Sequence, residues 1–352
     1  MTGSETPAQA GFRMPAEWEH HEATWIGWPH NRTDWPGKFA PIPWVYGEIV
    51  RKISPGEIVR IIVESAPHEA SARRVLKKAC VDPDMTEFFR FPTDRGWARD
   101  FGPIAVRRGN ETAFVGFLFN AWAKYPNWKK DARVHARAAK ALGVRLFDAT
   151  LNGKQFVLEG GSIDVNGSGT LLTTEECLLD PAVQARNPGA TKQDIERALC
   201  DNLGVTNILW LGRGITGDDT HGHVDDITRF VNRRTIVTCV EEDESDINYA
   251  PLRENRERLE GLHLEDGSKP EVVSLPLPSP LSYGNLRLPA SYANFYISNA
   301  CVIVPTFNDP RDRTALGILS ELFTDRPVVG IHAVDLVLGF GTLHCLSQQQ
   351  PG

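Results

Sequence analysis

The sequence has no CxxC pair. Its six cysteines, at positions 80, 177, 200, 239, 301 and 345, are scattered along 352 residues. That spacing argues against a thiolate metal knuckle or a compact disulfide framework and favours reduced thiols in a cytoplasmic protein. There is no apolar run near the roughly 18 residues that cross a membrane. Met1 to Glu17 holds neither a basic n-region nor an apolar h-region, so no secretory signal is expected. Basic excess is also missing: 38 Lys+Arg stand against 45 Asp+Glu, a net charge of −7. Such a chain lacks the footprint of a nucleic-acid binder and suits a small cationic partner better. No Ser/Gly linker or low-complexity stretch divides it, so one repeated domain is preferred to two independent ones.

What is present is a period. Five segments rich in Ala, Leu, Arg, Lys and Glu, with helical apolar spacing, begin near His68, Lys129, Thr191, Tyr249 and Pro310. Thr191 is a candidate N-cap with Asp194 at the third helical position, and Asp309 precedes Pro310 as cap before proline. The starts are 61, 62, 58 and 61 residues apart, the mark of a repeated unit. Between them lie β-rich runs at Ile58–Val63, Ala113–Phe119, Ile208–Leu211, Thr235–Val240 and Asn294–Pro305, and a hairpin signal at Asn166–Gly167. The expectation is an α/β fold of five units, each made of strands plus one helix, closed into a ring.

Four places carry chemistry. Asp100 lies in Trp97-Ala98-Arg99-Asp100-Phe101-Gly102-Pro103, where it is a cation-binding carboxylate or simply a turn cap beside Arg99. Glu159 precedes Gly160-Gly161, as a site carboxylate or as a solvated loop residue. His221, His223, Asp225 and Asp226 fall within Gly217–Asp226, which reads as an acid–base site or, alternatively, as metal ligands from His221, His223 and Asp225. Cys345 sits in a Gly-rich and then Gln-rich stretch, a context that fits a nucleophile better than a core residue, whereas Cys301 lies in an apolar run. Asp100, Glu159 and His223 are 59 and 64 residues apart, and Cys345 follows His223 by 122, about two repeats. Equivalent positions of a closed ring point at its axis, so the four are expected to meet in one central pocket.

These motifs resemble the agmatine deiminase family, relatives of the bacterial peptidylarginine deiminases. The resemblance is carried by Trp97–Pro103, Leu158–Ser162, Asp218–Asp225 and the terminal Leu343-His344-Cys345 before Gln348–Pro351. Phe12–Glu19, Thr24-Trp25, Trp28-Pro29, Phe119–Trp122 and Leu171–Leu179 also carry it, and it runs from about residue 12 to the end. It implies a five-bladed α/β-propeller (pentein) domain over 12–352 behind a flexible 1–11. It also implies hydrolysis of agmatine to N-carbamoylputrescine and ammonia, without metal or cofactor, through a covalent thiouronium on cysteine. Carried over by motif, Cys345 is the nucleophile and His223 the general acid/base. Asp100 and Asp225 hold the guanidinium, Glu159 belongs to the same carboxylate set, and Trp97, Trp122 and Asn120 line the substrate. A homodimer is the family expectation; nucleic acid and membrane are not expected as partners. Arg95, Ala123, Phe340 and Thr342 depart from the family pattern around the site, which leaves peptidyl-arginine or another alkylguanidine as the alternative substrate. The aromatic Trp25, Trp28 and Trp35 are expected to offer further faces to the substrate's methylenes. Asp94 is expected to neutralise Arg95.

Overall fold

The computed structural model describes residues 5–352. The fold is mixed α/β, with five sheets of three or four strands and two short hairpins. Strands β1 (His21–Gly27), β2 (Ile58–Val63) and β3 (Thr86–Arg90) run parallel, with helices α1 (Ile42–Ile53) and α2 (Ala66–Lys78) in the two crossovers. A central strand of a parallel set is covered on both faces, which is why Ile58-Val59-Arg60-Ile61-Ile62-Val63 is almost uninterruptedly apolar.

The next sheet holds β4 (Ile104–Arg108), β5 (Glu111–Gly116) and β6 (Arg145–Asp148). The short α3 (Ala98–Phe101) precedes it, and α4 (Val134–Leu142) lies between β5 and β6. After the hairpin β7 (Thr150–Leu151) and β8 (Lys154–Gln155), a third sheet takes β9 (Asp164–Val165), β10 (Thr170–Thr174) and β11 (Asn207–Leu211), with α5 (Glu175–Leu179) and α6 (Lys192–Leu203) in its crossover. The fourth takes β12 (Thr228–Phe230), β13 (Thr235–Val240), α7 (Tyr249–Gly261) and β14 (Glu271–Pro276). The hairpin β15 (Ser282–Tyr283) and β16 (Leu286–Arg287) leads to the fifth, with β17 (Tyr296–Ile297), β18 (Val302–Thr306), α8 (Arg311–Leu322) and β19 (Val328–His332). After α9 (Leu343–Leu346), β20 (Ser347–Pro351) returns to pair antiparallel with β1. All five sheets therefore share one plan. A first strand pairs antiparallel with a second, and the second pairs parallel with a third across a helix.

The five expected helices are present. Thr191 and Asp194 form a reciprocal capping box, and Asp309 Oδ1 accepts the Arg311 amide at 2.8 Å. The segment from Lys129 becomes α-helical only at Val134, after a 3₁₀ turn over Asp131–Arg133. The run Asn294–Pro305 is two strands with a turn between them, and Asn166 Oδ1 organises the 166–169 turn by accepting the amides of Ser168, Gly169 and Thr170. Among the described residues the short α3, α5 and α9 and one long helix, α1, escape the sequence reading; α1 is the instructive case. It contains Pro43 and Gly47, poor helix formers, and is stabilised by packing on α2, where a Cβ at Gly47 would lie 3.1 Å from Val75 Cγ1. Part of the stretch 1–11 expected to be flexible lies outside the described residues. Residues 6–11 form a turn tied to the body through Ala8 N to Asp201 O (3.0 Å) and Arg108 Nη1 to Ala10 O (2.8 Å).

Candidate active site

The chemistry-bearing residues all sit in short turns just ahead of the first strand of a sheet. Asp100 is on α3 before β4, and Glu159 caps a 3₁₀ turn before β9. His223 and Asp225 begin another 3₁₀ turn before β12, and Cys345 is on α9 before β20. A tight turn is needed at each, and the glycines allow it. A Cβ on Gly161 would meet His223 Nδ1 at 2.5 Å, and one on Gly341 would meet Cys345 Sγ at 2.9 Å.

These residues converge and are buried. His223 Nε2 lies 3.6 Å from Glu159 Oε2, while its Nδ1 faces Asp100 Oδ1 at 3.9 Å and Asp225 Oδ1 at 4.0 Å. Cys345 Sγ is 3.7 Å from Asp225 Oδ2. Asp100 is fixed by Trp122 Nε1 (2.8 Å) and the Gly161 amide (3.1 Å). Both imidazole nitrogens of His223 and Asp225 Oδ1 are buried without a hydrogen-bond partner. Buried polar atoms rarely remain so, and here Nδ1 faces Asp225 Oδ1 while Nε2 faces Glu159 Oε2.

Sequence reasoning missed several members of this set. Asn294 donates to Cys345 Sγ (3.1 Å) and Asp226 Oδ1 (3.0 Å), while its carbonyl accepts from Thr342 Oγ1 and the His344 amide. It precedes β17, the same place in the fifth sheet that the other four occupy in theirs, so the repeat itself could have found it. His344 bridges Asp225 Oδ2 (2.6 Å) and Glu17 Oε2 (2.8 Å), and Glu17 is held in turn by Arg99 and Arg229. Arg186 pairs with Glu159, and nothing in the sequence marks it.

The electrostatics follow from burial among carboxylates. Burial pushes Asp100 up to about 6, with Asp225 and Glu159 adding to the rise and His223 opposing it. Burial also opposes ionisation of Glu159, yet the Arg186 charge and His223 hold it below the usual range. For His223 burial works against the imidazolium, and Asp100, the Cys177 sulfur and Glu159 outweigh it, placing its pKa well above the ordinary value. Burial, then Asp225, Asp226 and Asp100, push the Cys345 thiol well up, against the Asn294 hydrogen bond. Asp225 is kept low, against its burial, by its hydrogen bond to His344.

A cavity of about 190 Å³ opens onto this cluster, with Cys345 and Asp100 in its wall beside Trp97, Trp122 and Tyr125. Several expectations need correction here. Asn120 Oδ1 accepts the Ala123 amide (2.8 Å) and builds the local turn. Trp25, Trp28 and Trp35 are core residues, since Trp25 stacks on Phe89, Trp28 on Tyr46 and Trp35 behind Trp97. Arg95 does line the cavity, but its partner is Asp34 (2.5 Å) rather than Asp94, and its guanidinium lies 4.2 Å from the Tyr125 ring centroid. The ligand trio His221, His223 and Asp225 is not assembled, because His221 Nε2 is engaged by Asp180 at 2.9 Å. Two other buried trios do bring potential ligand atoms together: Glu159 with Cys177 and His223, and Asp225 with Asp226 and Cys345.

Fold and site together are those of a deiminase, an enzyme acting on guanidino carbon–nitrogen bonds. The chain belongs to the Porphyromonas-type peptidyl-arginine deiminase family, whose profile matches residues 13–351. It is 34% identical to an agmatine deiminase of Pseudomonas aeruginosa over 99% of this chain and 98% of that one. The structure of the agmatine deiminase of Enterococcus faecalis is similar at a TM-score of 0.90 and 32% identity, covering 100% of this chain and 98% of the other. An agmatine deiminase of C. jejuni with substrate bound matches at a TM-score of 0.85 and 32% identity, over 97% and 96% of the two chains. Among the described residues no helix is long and apolar enough to cross a membrane.

Proposed function

We propose that this protein hydrolyses the guanidinium of agmatine, giving N-carbamoylputrescine and ammonia through a covalent thiouronium on Cys345. The observation that carries this reading is the meeting of Cys345 Sγ, His223 and the Asp100, Asp225 and Glu159 carboxylates, with His223 and Asp225 Oδ1 left unpartnered at their centre. Relatives named agmatine deiminase over nearly the whole chain support the substrate. A guanidinium is planar and resonance-stabilised, so it reacts only when charge-assisted hydrogen bonds orient it and draw charge from its central carbon. Asp100 and Asp225 supply those bonds.

The same carboxylates hold the thiol neutral in the free enzyme. A bound cation beside Cys345 reverses that field, so the thiol gives up its proton to solvent as the cation enters and the thiolate forms next to its target. Sulfur then bonds to the guanidinium carbon, the C–N bond breaks, and the proton on His223 leaves with ammonia. The neutral imidazole next takes a proton from water, whose oxygen adds to the thiouronium carbon. The C–S bond breaks, the hydroxyl proton passes to the departing sulfur to restore the thiol, and the neutral ureido product departs. We read the five sheets as the blades of one propeller domain over 12–352, acting on a small cation rather than on nucleic acid or membrane. We place it in the cytoplasm, a reading supported by six unpaired cysteines.

The tail of the substrate decides between agmatine and arginine. Arg95 is compensated by Asp34, and Lys124 by Asp219. Neither cation is therefore free to receive a carboxylate, whose unpaired burial costs several kcal/mol. Trp97, Trp122 and Tyr125 suit methylenes and an ammonium. A panel of agmatine, free arginine and a blocked arginyl peptide, assayed for ammonia and ureido product, should show agmatine preferred at least about 100-fold in kcat/KM, or about 2.7 kcal/mol. A preference for arginine or the peptide would overturn the assignment, and Arg95→Ala would then show whether Arg95 is responsible.

A further inference from the structure

Packed against the catalytic cluster lies an arginine that the reaction above does not use. Both side chains of the Arg186–Glu159 pair are fully shielded from solvent. Arg186 Nε donates to Glu159 Oε1 (3.0 Å) and Oε2 (3.3 Å), Nη1 to Gln184 O (2.8 Å) and Nη2 to Thr220 O (2.5 Å). Thr220 precedes His223 by three residues in the loop that carries the imidazole, so one guanidinium fastens both Glu159 and the approach to His223. Arg186 is not itself in the cavity wall and acts only through Glu159 and the carbonyls it holds, one of them that of Thr220 in the wall.

We propose that Arg186 is a positioning residue for this reaction, locking Glu159 against the Nε2 edge of His223 so that the imidazole stays charged until ammonia leaves. The inference rests on the deiminase reading above. Removing a buried ion's partner forces the remaining ion toward neutrality. Without Arg186, Glu159 therefore tends to take up a proton and stops supporting the imidazolium. The groups facing His223 are Asp100 from α3, Glu159, Asp225 from its own turn and the Cys177 thiol from α5. Of these, Glu159 alone has an arginine as its direct counter-ion. A lysine at 186 could not serve, because a single ammonium cannot reproduce the planar fork that reaches a carboxylate and two carbonyls together.

The test compares wild type with Arg186→Lys and Arg186→Gln in kcat and KM for agmatine across pH. The double variant E159Q/R186Q is measured beside E159Q. Folding is followed by thermal melting. The expected result is a kcat reduced about 100-fold with KM nearly unchanged, the low end of what a well-placed general acid contributes. The basic limb of kcat should move about one pH unit or more toward acid, because the imidazolium now deprotonates earlier. Arg186→Gln should cost nothing further once Glu159 is already Gln. The proposal is overturned if a folded Arg186 variant keeps the wild-type basic limb, or if Arg186→Gln costs as much in the E159Q background as in wild type. Should Arg186→Gln alone fail to fold, Arg186→Lys and the double variant, in which both charges are removed together, carry the same comparison. A wild type inactive on every guanidine of the panel would instead refute the deiminase reading.

Discussion

Cys345 is surrounded by Asp225, Asp226 and Asp100, company that discourages an anionic sulfur, and among the described residues its only direct donor is the amide of Asn294. Attack on carbon at neutral pH therefore depends on the cation that binds beside it. A serine in this place would face the same carboxylates with a much higher intrinsic pKa. Cys345→Ser should thus melt like wild type while kcat drops more than about 1,000-fold, in line with loss of other enzymatic nucleophiles; turnover within about tenfold of wild type would sink the covalent route. The guanidinium-holding residues predict a second loss. Asp100→Asn and Asp225→Asn each remove a buried charge-assisted partner, and kcat/KM for agmatine should decrease at least about 100-fold. Normal binding and turnover by either would remove that residue from the guanidinium contacts. A pH effect follows from the same geometry. Asp100 must be ionised to accept the guanidinium, and its pKa in the free protein is raised to about 6 from the ordinary 3.8. Below about 6 the carboxyl is protonated, so kcat/KM should decline on the acid side near there. In kcat the limb should lie at lower pH, because a bound cation favours the carboxylate. A flat kcat/KM from pH 5 to 7 would contradict this.

At the level of turns and helices, two departures from the family pattern share one backbone feature. Ala121, Trp122 and Ala123 have φ of +53°, +57° and +52°, and Phe340 has +67°. The left-handed region costs an L-residue about 1–2 kcal/mol, part of which glycine returns as unfolded-state entropy. Ala123→Gly should therefore stabilise the protein by about 0.5–1 kcal/mol without altering kcat, read as a small rise in the melting midpoint; a fall would mean that the turn is not strained. A glycine at 340 has the same backbone argument, but Phe340 lines the cavity and its loss would also change the mouth. The elements legible in the sequence were those that propensity and caps define locally, such as α6 with its Thr191–Asp194 box. The helix α1 was not legible, since its Pro43 and Gly47 lower propensity and its stability comes from a contact with α2. The sequence alone points Trp25, Trp28 and Trp35 toward the substrate for a related reason. Aromatic content marks a place that must be covered, and only the fold decides whether core or ligand covers it.

Across the whole molecule, the repeat is what made the site readable. Asp100, Glu159, His223 and Cys345 recur near one phase, and the structure shows why: each lies just before the first strand of a different sheet. Asn294 completes the series and was missed because Asn carries no charge to draw attention. Arg186 lies off that phase, so only packing reveals it. The arrangement also depends on the end of the chain returning to its beginning. In β20, Gln349 Oε1 accepts from Arg99 Nη1 (2.7 Å), and Gln350 Oε1 accepts from Arg60 Nη1 (2.7 Å) and Trp25 Nε1 (2.9 Å). These donors are buried, and each left without an acceptor costs about 1–3 kcal/mol. Removing residues 347–352 would also bare the ladder edge of β1 and release α9, whose Leu343 carbonyl is held by Ser347 Oγ at 2.8 Å. Those losses together rival the about 5–15 kcal/mol by which a domain is stable. A chain ending at Leu346 keeps every catalytic group named above, Cys345 included. It should nevertheless lose its cooperative melt and all deiminase activity. If that truncated chain melted and turned over agmatine like the full one, β20 would be dispensable, and the nucleophile would be placed by α9 alone.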